Sequence, residues 1–166
     1  PAHLLRHGFI ASDEPIAQAR LSVTSVGVHR VQINGQVVGD HVLAPGWSSY
    51  HHRLRYDTHD VTNLVGSGVN VVGAELADGW WAGYLAWDGK RCLYGHQVGL
   101  LAQLEIVYAD GTTQVITTNS DWRTAVGPAL STDLYMGDTY DARRELPGWA
   151  TAEFDAGAWS AVEVFE

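Results

Sequence analysis

Apolar and polar residues alternate with a period of two along most of this chain. Ala19-Arg20-Leu21-Ser22-Val23-Thr24-Ser25-Val26 puts its apolar side chains on one face of a strand, and Val28-His29-Arg30-Val31-Gln32-Ile33 repeats the pattern after Gly27. Asn34-Gly35, the favoured pair for a two-residue hairpin turn, predicts a return strand opening at Val37-Val38. Pro45-Gly46 breaks the chain before Trp47, and residues 50–56 read as a further strand with histidines and arginines on its exposed face. Residues 60–65 predict a short helical turn, capped by Asp60 and stopped by Gly66, ahead of a strongly apolar strand over 68–76. Strands resume over 97–108, turn at Ala109-Asp110-Gly111 and return through 113–118. Asp121-Trp122 starts another strand that Gly127-Pro128 ends, and the chain is irregular again after Leu134. Nowhere do ten residues hold a helical period. The pattern predicts an all-β, antiparallel β-sandwich of jelly-roll type.

A length of 166 residues suits one domain spanning 1–166, large enough to bury roughly 70% of its unfolded surface. The formal net charge of −9 argues against nucleic acid, which demands cations laid along phosphates. No run of eighteen apolar residues occurs, so no membrane-spanning helix is expected. Cys92 is the single cysteine; without an internal disulfide the core must carry the fold, and the compartment stays open between secreted and cytoplasmic. The chain opens at Pro1 and closes on an alternating stretch resembling a strand just beginning, as expected of a segment of a longer protein.

One composition feature changes the picture. Three of the seven tryptophans, Trp80, Trp81 and Trp87, fall within the aperiodic stretch 77–95, a loop long enough to suggest a function. A pyranose has an apolar face that stacks on an aromatic ring, and hydroxyls that need carboxylate, carbonyl or guanidinium partners. Asp78, Trp80, Trp81, Tyr84, Trp87 and Asp88 supply both kinds of group. One of Trp80 and Trp81 is expected in the core, with Tyr84 and Trp87 exposed. The bland alternative is that the tryptophans plug the end of the sandwich. Asp78 and Asp88, with Asn70, are candidate calcium ligands, although no ordered calcium-loop motif is present.

Catalysis is not expected of this chain. Glycoside hydrolysis needs two carboxylates held across a cleft, and Asp138 and Asp141 read instead as turn caps or partners of Arg143 and Arg144. Ser48-Ser49 beside His51-His52 makes no triad, because neighbours on a strand face opposite ways.

The joint order of several motifs is more specific than any one of them. Ile33-Asn34-Gly35, Val38-Gly39-Asp40 and Leu43-Ala44-Pro45-Gly46-Trp47 are followed by Asp60-Val61-Thr62, Gly68-Val69-Asn70 and Asp78-Gly79-Trp80-Trp81-Ala82-Gly83. Tyr94-Gly95, Ser120-Asp121-Trp122, Gly137-Asp138-Thr139-Tyr140-Asp141-Ala142-Arg143 and Gly148-Trp149 complete the series. From about residue 17 onward the chain resembles the amino-terminal β-sandwich of bacterial α-L-rhamnosidases, glycoside hydrolase family 78. The resemblance implies a galactose-binding-domain-like sandwich, with the catalytic acid and base in a separate (α/α)6 barrel of the same polypeptide. It further implies a non-catalytic accessory domain that binds terminal L-rhamnose of glycans or glycosides, as the family 67 rhamnose-binding module does through calcium. A purely structural domain packed on the barrel is the alternative. Two departures stand out: Ser48-Ser49 replaces a frequent Thr-Asp, removing a carboxylate, and Asp138 stands where relatives tend to have glutamate.

Overall fold

A strand with apolar residues at alternate positions has one face to bury, and two sheets closed on each other bury it. The computed structural model, which describes residues 1–85, 87 and 89–165, has this arrangement. The strands are β1 (His3–Ala11), β2 (Ile16–Val26), β3 (Val28–Ile33), β4 (Gln36–Val37), β5 (Asp57–Asp60), β6 (Gly68–Ala77), β7 (Gly99–Tyr108), β8 (Thr113–Thr117), β9 (Arg123–Val126), β10 (Ala129–Ser131), β11 (Thr139–Tyr140) and β12 (Ser160–Ala161). One sheet runs β12-β9-β1-β6-β3-β4, the other β5-β2-β7-β8, and β10 and β11 form a separate ribbon. Every strand pair among the described residues is antiparallel. Between the sheets lie Leu21 and Val23 of β2, Val31 and Ile33 of β3, Val72 and Ala74 of β6, Leu104 and Ile106 of β7, and Trp122. None of the helices in the described residues is long and apolar enough to cross a membrane.

Both hairpin turns form where the sequence places them. Gln32 pairs with Val37 across Asn34-Gly35, whose φ values of 51° and 78° are those of a type I′ turn. β7 and β8 pair across the Asp110-Gly111 turn.

The sequence pattern conceals β1, a central strand of the larger sheet. Its odd-numbered side chains, Leu5, Phe9 and Ala11, join the inter-sheet core, and His7 stacks on Trp122 at 5.7 Å. Its even-numbered side chains face the opposite surface, which the chain beyond β11 covers. There Leu4 is buried, and the Arg6 guanidinium donates to the Thr151 and Phe154 carbonyls while lying over the Phe154 ring. Covered on both faces over its first half, the strand loses its alternation there, although Gly8 and Ile10 remain exposed on the outer face.

Residues 50–56 are not a strand. The amides of His52 and Arg53 both donate to the Ser49 carbonyl and close a turn, Tyr50 is buried, and the edge strand begins only at Asp57. Tyr50, Leu54 and Tyr56 would share one face of a strand, but only Tyr50 is buried, and Leu54 and Tyr56 stay exposed. A 3-10 turn, Thr62–Leu64, takes the place of the short helix; Asp60 Oδ1 accepts from both the amide and the hydroxyl of Thr62. Of the closing alternation over 161–166, only Ala161 among the described residues lies in a strand, β12.

His29, 7% exposed, sits on the inner face of β3 with its Nδ1 2.9 Å from the Ser25 hydroxyl. Burial pushes its pKa down from 6.5 to about 4, the Asp57 charge only partly opposing. Above pH 6.5 the ring is neutral in both folded and unfolded chains and adds no pH dependence. As the pH falls from 6.5 towards 4 only the unfolded chain takes up the proton, so stability is lost through this window. The expected slope is about 1.4 kcal/mol per pH unit, on the order of 3 kcal/mol in all. His3 and His7 are lowered chiefly by burial and act in the same direction. Urea titrations from pH 7 to 4.5, with EDTA present, should show the wild-type slope and a shallower one in His29→Gln. Equal slopes would remove His29 as the source.

Candidate functional site

At the end of β6 the chain leaves the sheet through Asp78 and makes a single helical turn, α1 (Gly79–Ala82). Adjacent residues on a helical turn point about 100° apart, so Trp80 and Trp81 meet different partners. Trp80 stacks on Trp47, ring centroids 6.1 Å apart and 6° from parallel. Trp81 lies parallel to Tyr94 at 6.5 Å and meets Tyr50 edge-on at 5.3 Å, while its Nε1 donates to the Gln97 carbonyl. Trp47 Nε1 donates to the Tyr94 hydroxyl at 3.1 Å, joining the two stacks, and His51 tilts against both Trp81 and Tyr94. Burial, followed by the neighbouring Tyr94, raises the Tyr50 hydroxyl above its ordinary pKa, so it stays neutral. The expectation that Trp80 or Trp81 enters the main core is corrected: both are half-buried in this aromatic assembly at the margin of the sandwich. Trp47 is 47% exposed.

Tyr84 and Arg91 bridge the base of a small lobe, and Trp87 stands on it fully exposed at 102%. The Arg91 guanidinium braces the lobe by donating to Asp78 Oδ2 at 2.8 Å and to the Ala82 carbonyl, and by lying over the half-buried Tyr84 ring. Asp133 ties in a second segment by accepting from the amides of Tyr84, Tyr135 and Met136. Burial opposes ionisation of Asp133, but these three amides and the Arg91 charge outweigh it and hold the carboxyl below its usual range.

Of the residues expected at a ligand site, the fold gathers Asp78, Trp80, Trp81 and Tyr84 within one short segment and leaves Trp87 exposed nearby. Asp88 lies outside the described residues. Asp78 does not fit a calcium shell. Such an ion takes several oxygens, whereas this carboxylate is already paired with a guanidinium. The Ser48 hydroxyl is spent on the Arg53 carbonyl, and Asn70 is committed to backbone groups elsewhere. Asp141 caps the 3-10 turn Ala142–Arg144 and pairs with Arg143, the structural role expected of it. A cavity of about 810 Å³ opens between the sheets, lined mostly by apolar side chains such as Leu5, Leu76, Leu100 and Phe165. Trp81 reaches it from the aromatic assembly, and polar side chains including His3, His96, Gln97, Asn119 and Glu163 also line it.

Sequence reasoning missed Trp47, Tyr50, Tyr94, Arg91 and Asp133 as members of this assembly. The Pro45-Gly46 turn and the motifs that contain Trp47 and Tyr94 were the local signs; Tyr50, Arg91 and Asp133 had none.

The model for the α-L-rhamnosidase N-terminal domain matches residues 14–166. The chain belongs to this family. The α-L-rhamnosidase of Streptomyces avermitilis is 47% identical over 161 residues, which cover 97% of this chain and 16% of that protein. A crystal structure of the Streptomyces avermitilis enzyme complexed with L-rhamnose superposes with a TM-score of 0.95 at 46% identity, over 98% of this chain and 16% of that one. The native α-L-rhamnosidase of Aspergillus terreus superposes with a TM-score of 0.93 at 39% identity, over 96% of this chain and 18% of that one. The rhamnosidase N-terminal domain described here thus spans about a sixth of the length of these relatives.

Proposed function

We propose that this rhamnosidase N-terminal domain is a non-catalytic carbohydrate-binding module of an α-L-rhamnosidase, taking terminal L-rhamnose beside a separate catalytic domain. The observation that carries the reading is exposed indole surface held next to a charged pair. Trp47 lies half-open on Trp80, Trp87 stands free on the braced lobe, and Asp78 pairs with Arg91 in the segment that joins them. An indole offers the apolar face of the sugar a flat surface, while Asp78 accepts from hydroxyls and Arg91 donates to them. The similar Streptomyces enzyme has been crystallised with L-rhamnose, which makes that sugar the first ligand to test. Affinity for a monosaccharide is weak because few atoms make contact. Tethering to a catalytic domain would still raise the local concentration of rhamnosides. The reading does not invoke calcium, because Arg91 already neutralises Asp78.

A second reading, a scaffold that packs on the catalytic domain, draws on exposed Tyr135 and Met136 in the turn that Asp133 ties to the lobe. Calorimetric titration of L-rhamnose, in calcium and then in chelator, separates the readings. The proposal expects saturable heat under both conditions, weakened at least tenfold in Trp47→Ala or Trp87→Ala. Heat abolished by chelator would reinstate a metal-mediated site. A folded sample that gives no heat at high concentration leaves the scaffold.

A further inference from the structure

Away from the aromatic assembly, side chains from two separate segments converge at the edge of the four-stranded sheet. Asp57 and His59 are two apart on edge strand β5 and so leave it on the same face. His41 arrives from the long connection between β4 and β5. One ligating atom from each of the three lies within 4.8 Å of the other two. Gly39 allows the approach: it has φ +70°, and a Cβ there would sit 2.7 Å from Cε1 of His59. The connection therefore crosses directly over the imidazole and delivers His41 two residues later.

The His41–Asp57 spacing is one that two ligands of a shared ion can take. His41 Nδ1 is 3.4 Å from Asp57 Oδ2, beyond the usual N–H···O range of about 2.7–3.2 Å. Two ligands on a tetrahedral ion with bonds of about 2.0–2.1 Å stand roughly 3.3 Å apart. Two imidazoles and one carboxylate are a borderline donor set suited to zinc and its neighbours rather than to calcium or magnesium. His41 is exposed, and Asp57 and His59 are partly so, leaving an ion an entry path and a fourth position for water.

We propose that His41, Asp57 and His59 form a divalent transition-metal site, zinc by its donors, that clasps the β4–β5 connection onto the edge strand. The clasp covers an otherwise open sheet edge. It also anchors the connection that carries Trp47, although it does not depend on the sugar reading and shares no ligand with it.

The test is calorimetric titration of zinc chloride into the chelator-stripped 166-residue chain, with cobalt(II) as a spectroscopic stand-in. One saturable equivalent is expected, with the intense visible bands of four-coordinate cobalt and a zinc-dependent rise in thermal midpoint. His41→Ala and His59→Ala should each weaken uptake at least as much as losing a supporting partner of a metal ligand, ~10–100-fold. Asp57→Asn should weaken it too, while His52→Ala leaves it unchanged. Circular dichroism checks that each variant is folded, and exposed His41 is the substitution least able to disturb the fold. Uptake that persists in His41→Ala and His59→Ala assigns the ion to other histidines and overturns the proposal. No uptake by the folded wild type does the same.

Discussion

Asn70→Ala is expected to cost about 3–5 kcal/mol of stability, because one buried amide satisfies four partners. Asn70 is 1% exposed on β6. Its Oδ1 accepts from the Gly66 amide at 2.9 Å and from Asn34 Nδ2 at 2.8 Å, and its Nδ2 donates to the Gly66 and Gly68 carbonyls. Asn34 in turn donates to the Leu64 carbonyl and accepts from the Val71 amide. Two asparagines thereby fasten the loop before β6 to the β3–β4 turn. Truncation leaves these groups unpaired, each unsatisfied buried group costing about 1–3 kcal/mol less whatever water restores. Urea denaturation of wild type and variant, with the slope unchanged, would measure the loss. A loss below about 1 kcal/mol would mean that water replaces the bonds and the amide is dispensable.

The second large effect is expected at the junction between the sheets. Gly27 alone separates β2, in the smaller sheet, from β3, in the larger one. It has φ +127°, a conformation L side chains rarely adopt, and a Cβ would fall 2.4 Å from the Ala77 carbonyl oxygen. Backbone strain of that kind costs about 1–3 kcal/mol, and the obstructing atom belongs to central strand β6 rather than to a movable side chain. Gly27→Ala should therefore lose at least ~3 kcal/mol, a fall of roughly 6–12 °C in Tm for a chain of this size. Gly66→Ala is the matched control: it meets nothing within 4 Å and its φ is ordinary, so a change within ~0.5 kcal/mol is expected. Similar midpoints for the two variants would show that the Gly27 turn can relax.

The sequence legibly carried whatever depends on neighbours a few residues apart. The period of two in β2, β3 and β7 declares half-buried strands, and Asn34-Gly35 and Asp110-Gly111 declare their turns. The aromatic stretch of Asp78 to Trp87 and the order of short motifs point to the family before any coordinates. Two of those motifs prove to be halves of one contact, since Asn34 and Asn70 bond to each other.

Tertiary structure decided the rest. The first half of β1 is covered on both faces by elements distant in sequence, which blurs its alternation, while Gly8 and Ile10 stay exposed on the outer face. Residues 50–56 alternate, with Tyr50, Leu54 and Tyr56 on one side, yet the Ser49 carbonyl closes a turn there and only Tyr50 is buried. The site divides the same way. Trp80, Trp81 and Asp78 are neighbours in the chain, whereas Trp47, Tyr50 and Tyr94 reach them only because both loops leave the sandwich at one end. His41 likewise meets Asp57 and His59 only when the β4–β5 connection folds back across Gly39. Periodicity and turn chemistry report local preferences of the backbone, while contacts between separate segments are set by how two sheets close over a shared core.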